Sequence, residues 1–151
     1  MQKYNSSFLI VLILLTFSLV FAGCKKDDDA TVATKALLTT GTWKGISYRV
    51  YSTAGGKTLI DSTESLSNTT KTFSENGTVV TTITDGEGNK TSSTGAWTLS
   101  NDKKLTIISL TNPSYYTIKD ISSSSLVLSN SGSYTKDGVT STAEQTATYS
   151  K

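Results

Sequence analysis

Turn signals recur along this chain at the spacing of β-hairpins: Ala54-Gly55-Gly56, Glu75-Asn76-Gly77, Asp85-Gly86-Glu87-Gly88-Asn89, Asn101-Asp102, Asn112-Pro113, Ser122 to Ser125 and Lys136-Asp137-Gly138. These seven turns leave eight segments for strands, approximately 42–51, 58–73, 78–84, 90–99, 104–110, 114–121, 126–134 and 139–149. Short strands joined by tight turns form an antiparallel meander. Closing that meander into a barrel removes the unpaired edges that would otherwise recruit other chains. Serine and threonine supply 50 of the 151 residues, and because threonine suits a solvated pleated surface and serine suits turns, the bias points to sheet and away from helix. One helical turn is expected, around Thr34-Lys35-Ala36-Leu37-Leu38 and stopped by Gly41, as a plug or cap. The expected fold is all-β: an eight-stranded antiparallel barrel with a short N-terminal helical turn.

Alternation assigns faces to the strands. Gly95, Trp97 and Leu99 share one side of theirs, Tyr116 and Ile118 one side of the next but one, and Leu126 and Leu128 one side of the strand after it. In the last strand Ala143, Ala147 and Tyr149 alternate with Thr142, Glu144, Thr146 and Thr148. These smaller or more apolar sets should point inward. The segment 58–73 alternates poorly, with Leu59, Leu66 and Phe73 spread among Ser, Thr and Asn, so a bulge or a flap is expected there.

Ahead of the strands, an almost wholly apolar run from Phe8 to Ala22 follows Lys3 and leads into Gly23-Cys24. A membrane-spanning helix needs roughly 20 apolar residues and a secretory segment about 7 to 15, so this run reads as a secretory signal. Leu19-Val20-Phe21-Ala22-Gly23-Cys24 resembles the lipobox of bacterial lipoproteins, which implies cleavage after residue 23 and a diacylglyceryl group on Cys24. Each buried CH₂ is worth about 0.8 kcal/mol, so two or three acyl chains would hold the chain on a membrane durably. Cys24 is the sole cysteine, so an internal disulfide is excluded. Lys25-Lys26-Asp27-Asp28-Asp29 has nothing apolar to bury and is expected to be solvated and extended. It also resembles the Lys-then-acidic export signals of surface lipoproteins in the phylum Bacteroidota, which implies that Lys26, Asp27 and Asp28 direct the chain to the outer face of the outer membrane. The expected organisation is a signal peptide over 1–23, a lipidated flexible tether over 24–35 and a barrel domain over 36–151.

Composition removes several function classes. Without residues 1–23 the chain carries 13 Lys and Arg against 12 Asp and Glu, with neither a basic stripe nor an acidic tail, which argues against a nucleic-acid partner. There is no histidine, so His-based triads and His or Cys zinc sites are excluded once Cys24 carries lipid. The acidic pairs Asp61/Glu64, Asp85/Glu87 and Asp120/Asp137 lie mostly in turn-rich segments where acids favour solvent, and Asp85 to Asn89 lacks the spacing of a calcium loop. The reading is of a protein that is not an enzyme and needs no metal or cofactor.

Leu37-Leu38, Gly41-x-Trp43, Phe73-Ser74-Glu75-Asn76-Gly77-Thr78, Gly95-Ala96-Trp97-Thr98-Leu99 and Lys104-Leu105-Thr106-Ile107, continued by Tyr116-x-Ile118 and Leu126-Val127-Leu128, resemble the lipocalin-like domain of small bacterial lipoproteins. The resemblance runs through nearly all of residues 36–150. Gly41 and Trp43 also match the Gly-x-Trp of true lipocalins, whose tryptophan packs against an arginine late in the chain. Here the single arginine is Arg49, in the first strand. The resemblance implies a lipocalin-like barrel able to hold one small hydrophobic or amphiphilic ligand. Tyrosines combine an apolar ring with a polar tip, so Tyr116, Tyr134 and Tyr149, with Arg49 and Trp97, are the candidate ligand-binding residues, suited to a molecule bearing a carboxylate or hydroxyl. The same rings could simply fill a small barrel. Two functions follow: a binding barrel with a cavity of several hundred Å³, or an interaction lipoprotein that contacts a protein or glycan through its exposed strands and loops. Asp61-Ser62-Thr63 resembles an O-glycan acceptor motif of the same phylum.

Overall fold

The structure, a computed structural model, describes residues 26–101, 103–109 and 112–151. The signal peptide over 1–23, Cys24 and Lys25 lie outside the described residues, and Lys26, Asp27 and Asp28 are described as helical backbone alone. That helix, α1 (Lys26–Thr39), is longer than the single turn expected and runs through the acidic segment expected to be extended. Alanines at 30, 33 and 36 favour the helix. Thr34 and Leu38, one turn apart, are both buried. The hydroxyls of Thr39 and Thr40 donate back to the carbonyls of Lys35 and Ala36, and Gly41, at φ +83°, takes the left-handed conformation that ends the helix.

Nine strands follow: β1 (Thr42–Ala54), β2 (Lys57–Ser65), β3 (Thr69–Phe73), β4 (Thr78–Thr84), β5 (Lys90–Leu99), β6 (Lys104–Ser109), β7 (Asn112–Ile121), β8 (Ser125–Lys136) and β9 (Val139–Ser150). All pair antiparallel with their neighbours, and β9 pairs back onto β1 from Lys44↔Ser150 to Ala54↔Ser141. Eight of them, β1 and β3 to β9, close the barrel. The weakly patterned 58–73 segment is the reason for the ninth. It breaks at Leu66-Ser67-Asn68 into β2, paired with Ser47–Ala54 of β1, and β3, paired with Thr42–Lys44. Asn112-Pro113, expected as a turn, instead opens β7 opposite Ile108 and Ser109. Proline fits there because this stretch of β7 pairs with β6 alone, the β7–β8 ladder starting at Thr117↔Ser129.

The barrel has two unlike ends. One is closed by α1 and the connections that follow β3, β5 and β7, over a core of Leu38, Trp43, Phe73, Val79, Trp97, Leu105, Ile118 and Leu126. Phe73 and Trp97 meet edge to face at 5.7 Å. Both indole N–H groups are satisfied by carbonyls, Trp43 donating to Leu38 at 2.9 Å and Trp97 to Ser74 at 3.0 Å. The cation that true lipocalins place on their first tryptophan is supplied by the last residue: Lys151 Nζ lies 4.1 Å from the centre of the Trp43 ring and donates to the Leu37 carbonyl. At the other end β2, β1, β9 and β8 run on past the shorter strands as a four-stranded leaf. Directly paired hydroxyls brace the sheet throughout, Thr42–Thr72, Thr82–Ser92, Thr53–Thr142 and Thr135–Thr140, which is where much of the threonine is used.

One bulge decides which side chains reach the interior. Register shifts between Gly45 and Ser47 in the β1–β9 ladder, so Trp43 and Gly45 face inward and then the alternation moves by one residue, bringing Tyr48, Val50 and Ser52 to the inner face. Gly45 is required at that point: a Cβ there would run into the backbone carbonyl of Leu66, which packs against it at the β2–β3 break.

Candidate functional site

Above the core the barrel interior opens into a cavity of about 220 Å³. Its walls come from β1 (Tyr48), the β2–β3 break (Leu66), β3 (Thr69, Lys71), β7 (Tyr116), β8 (Leu128) and β9 (Gln145, Ala147, Tyr149). The volume is smaller than the several hundred Å³ expected from the sequence, because aromatic rings fill much of the interior. Alternation places these groups: Thr69, Lys71 and Phe73 share a face of β3, and Tyr48, Ala147 and Leu128 form one row across three strands through the pairs Tyr48↔Ala147 and Leu128↔Ala147.

Polar groups are concentrated here. Lys71 is half-buried, and its Nζ donates to Thr81 Oγ1 at 2.9 Å. It forms no ion pair with any described residue; Glu64, across from Tyr48 in register, is exposed and not paired with it. Burial lowers the Lys71 pKa from its ordinary value. Burial also pushes the Tyr149 phenol up to about 12, with Tyr116 adding to the shift, and Tyr48 is raised by burial, by Tyr116 and by Glu64. Tyr48 and Tyr149 therefore both feel Tyr116, and three tyrosines line one lysine-bearing cavity.

Of the residues proposed from sequence, Tyr116 and Tyr149 line this cavity and Arg49, Tyr134 and Trp97 do not. Arg49 is on the outer face, where its Nε and Nη2 hold Asp61 at 2.8 and 2.9 Å and its guanidinium stacks on Tyr51. The bulge at Gly45–Ser47 put it there: strict alternation from Trp43 would have turned Arg49 inward and Tyr48 outward. Tyr134 stands exposed on the leaf, and Trp97 is sealed in the closed end. Sequence reasoning missed Lys71, Tyr48, Thr81 and Gln145. Lys71 carried a readable signal, lying two residues before the core Phe73 on the same strand.

Larger hollows lie elsewhere. One of about 470 Å³ sits on the leaf, lined by Ser52, Leu59, Gly132, Tyr134, Ser141 and Ala143 among others. A second, about 480 Å³, has Tyr51, Ser131, Ser133, Thr142 and Glu144 in its walls. A third, about 510 Å³, is on the outer surface where β7 and β8 part, with Thr98, Thr106, Tyr115, Thr117, Ser129 and Ser131 in its walls. The acidic tip at 85–89 satisfies itself, Asp85 accepting from the backbone N–H groups of Glu87 and Asn89, and no cluster of metal-ligating side chains occurs among the described residues.

The model of the lipocalin-like domain matches residues 39–128. Solved structures share the architecture. A lipocalin-like protein from Bacteroides uniformis superposes with a TM-score of 0.50 at 18% identity, covering 70% of this chain and 96% of that one. A protein from Bacteroides eggerthii gives 0.52 at 10% identity over 75% and 98% of the two chains. Lobster apocrustacyanin A1 gives 0.53 at 13% identity over 85% and 69%. At such identities the likeness concerns the fold. No curated protein matches the chain.

Proposed function

This chain belongs to the lipocalin-like domain family, and from that premise we propose that it is a membrane-anchored lipoprotein whose barrel binds one small hydrophobic or amphiphilic molecule. The observation that carries the reading is the interior cavity, which has a lysine and three tyrosines over an apolar floor including Leu128 and Ala147. A few placed polar groups over an apolar floor are what orient a small ligand. The role is binding and not catalysis: the chain has no histidine, Asp61 is engaged by Arg49, and Asp85 is spent on its own turn.

Native mass spectrometry of the full chain, released gently from membranes of its own producing cell, tests this. A reproducible added mass that denaturation removes is expected. A bare chain mass from folded protein would move the reading to the interaction lipoprotein, for which the outer groove beside the exposed Tyr115 is the specific feature. In that case Tyr115→Ala would weaken capture of a protein or glycan partner.

The proposed anchor is a lipid on Cys24, and the proposed location is the outer membrane with the domain on the cell surface. Radiolabelled palmitate should enter the wild-type chain and not Cys24→Ala. Protease added to intact cells should reach the domain, and replacing Lys26, Asp27 and Asp28 by alanine should protect it.

A further inference from the structure

Lys71 is the one feature of the interior that packing does not explain. A lysine drawn partly out of water beside apolar walls is costly unless something balances its charge, and no described carboxylate does. An ammonium has three donors, and Thr81 takes one of them. Tyr48, Tyr116 and Tyr149 line the same cavity, and phenolic hydroxyls donate well to an anion.

A second hollow lies farther along the same strand face. Tyr149, Ala147 and Gln145 line the cavity along one face of β9, and the next residues on that face, Ala143 and Ser141, line the hollow on the leaf. Gly132 and Ser52 both pair with Ala143, so that row lacks bulky side chains. From Ala147 to Ala143 the face advances roughly 13 Å, at about 3.3 Å per residue. A cavity of about 220 Å³ holds a head group and its first carbons, whereas the leaf hollow of about 470 Å³ has room for the remainder.

We propose that the ligand is an amphiphile with a single carboxylate head, the carboxylate seated on Lys71 among the three tyrosines and the chain lying along β9 past Ala143 onto the leaf. This rests on the binding-barrel reading and gives its ligand a chemical class. One lysine balances one negative charge, which favours a carboxylate over a doubly charged head. A cationic head would meet the same ammonium and be repelled.

The test is calorimetry on the full chain in phospholipid nanodiscs, with empty discs subtracted, comparing decanoate, decanol and decyltrimethylammonium as probes. Decanoate is expected to bind about tenfold or more tightly than decanol, the usual scale for a charge-assisted contact out of water, and the cationic probe weakest. In Lys71→Met the decanoate advantage should vanish while decanol binding persists, and Lys71→Arg should restore part of it. Equal binding of decanoate and decanol to the wild-type chain would overturn the carboxylate assignment and leave the binding barrel standing. A decanoate preference that survives Lys71→Met would overturn the role of Lys71. Binding of none of the three would overturn the barrel reading and this proposal together. The wild-type comparison stands even if a variant fails to fold.

Discussion

The closed and open ends of this barrel are made by the same strands and obey opposite rules. At the closed end every large side chain is apolar or has its polar atom satisfied within the chain: Trp43 on the Leu38 carbonyl, Trp97 on that of Ser74, Phe73 against Trp97. At the open end the inward positions hold Tyr48, Lys71, Tyr116 and Gln145 around empty space. Along β3 the change takes two residues, from Phe73 to Lys71. Dividing strands such as β1, β3 and β9 between a packed part and a polar part lets one small domain stay folded while keeping a site that packing alone would not favour.

Substitutions at the two ends should therefore separate stability from binding. The largest effect is expected at the closed end: Trp97→Ala removes a buried ring and its hydrogen bond, and should cost about 3 to 5 kcal/mol in denaturant unfolding. Next comes the joint between the ends. Gly45→Ala forces a methyl group against the Leu66 carbonyl and should cost about 1 to 3 kcal/mol, with loss of ligand capture because Tyr48 and Leu66 move apart.

At the open end the sign reverses, and pH reads it out. The folded state holds the Lys71 proton less tightly than the unfolded chain does. Stability should rise with pH between that lowered value and 10.5, where the unfolded chain binds more protons. Tyr149 acts the other way: its folded pKa of about 12 lies above the ordinary 10.0, so the stability it contributes is present below 10 and lost between 10 and 12. Lys71→Met should raise the melting temperature at neutral pH and abolish the rising limb, whereas Tyr149→Phe should flatten the falling one. Thermal melts across alkaline pH measure both. The smallest effect is expected at Arg49: its pair with Asp61 is exposed on the outer face, so Arg49→Ala should leave melting temperature and ligand capture nearly unchanged.

The barrel was legible in the sequence because turns and alternation are local signals. The turn residues at 55–56, 76–77, 85–89, 122–125 and 137–138, and the inward sets at 95–99 and 126–128, are where the structure has them. What escaped was whatever depended on a partner strand. The bulge after Gly45 accompanies the close approach of Leu66, distant in sequence, and it exchanged Arg49 for Tyr48 on the inner face. The helical character of the acidic run escaped because like charges suggest an extended chain. Lys151 on Trp43 was hidden by residue type, since an arginine was the expected cation.

The placement of α1 has a directional consequence. The helix crosses the closed end, where its Leu38 carbonyl holds Trp43 and its Leu37 carbonyl holds Lys151, so the chain enters the domain from beneath the plugged floor. With a lipid on Cys24, that floor would be the end tied to the bilayer and the Lys71 cavity would lie on its far side. A barrel held in that attitude would sample molecules arriving from solution and turn its back on those still embedded in the membrane.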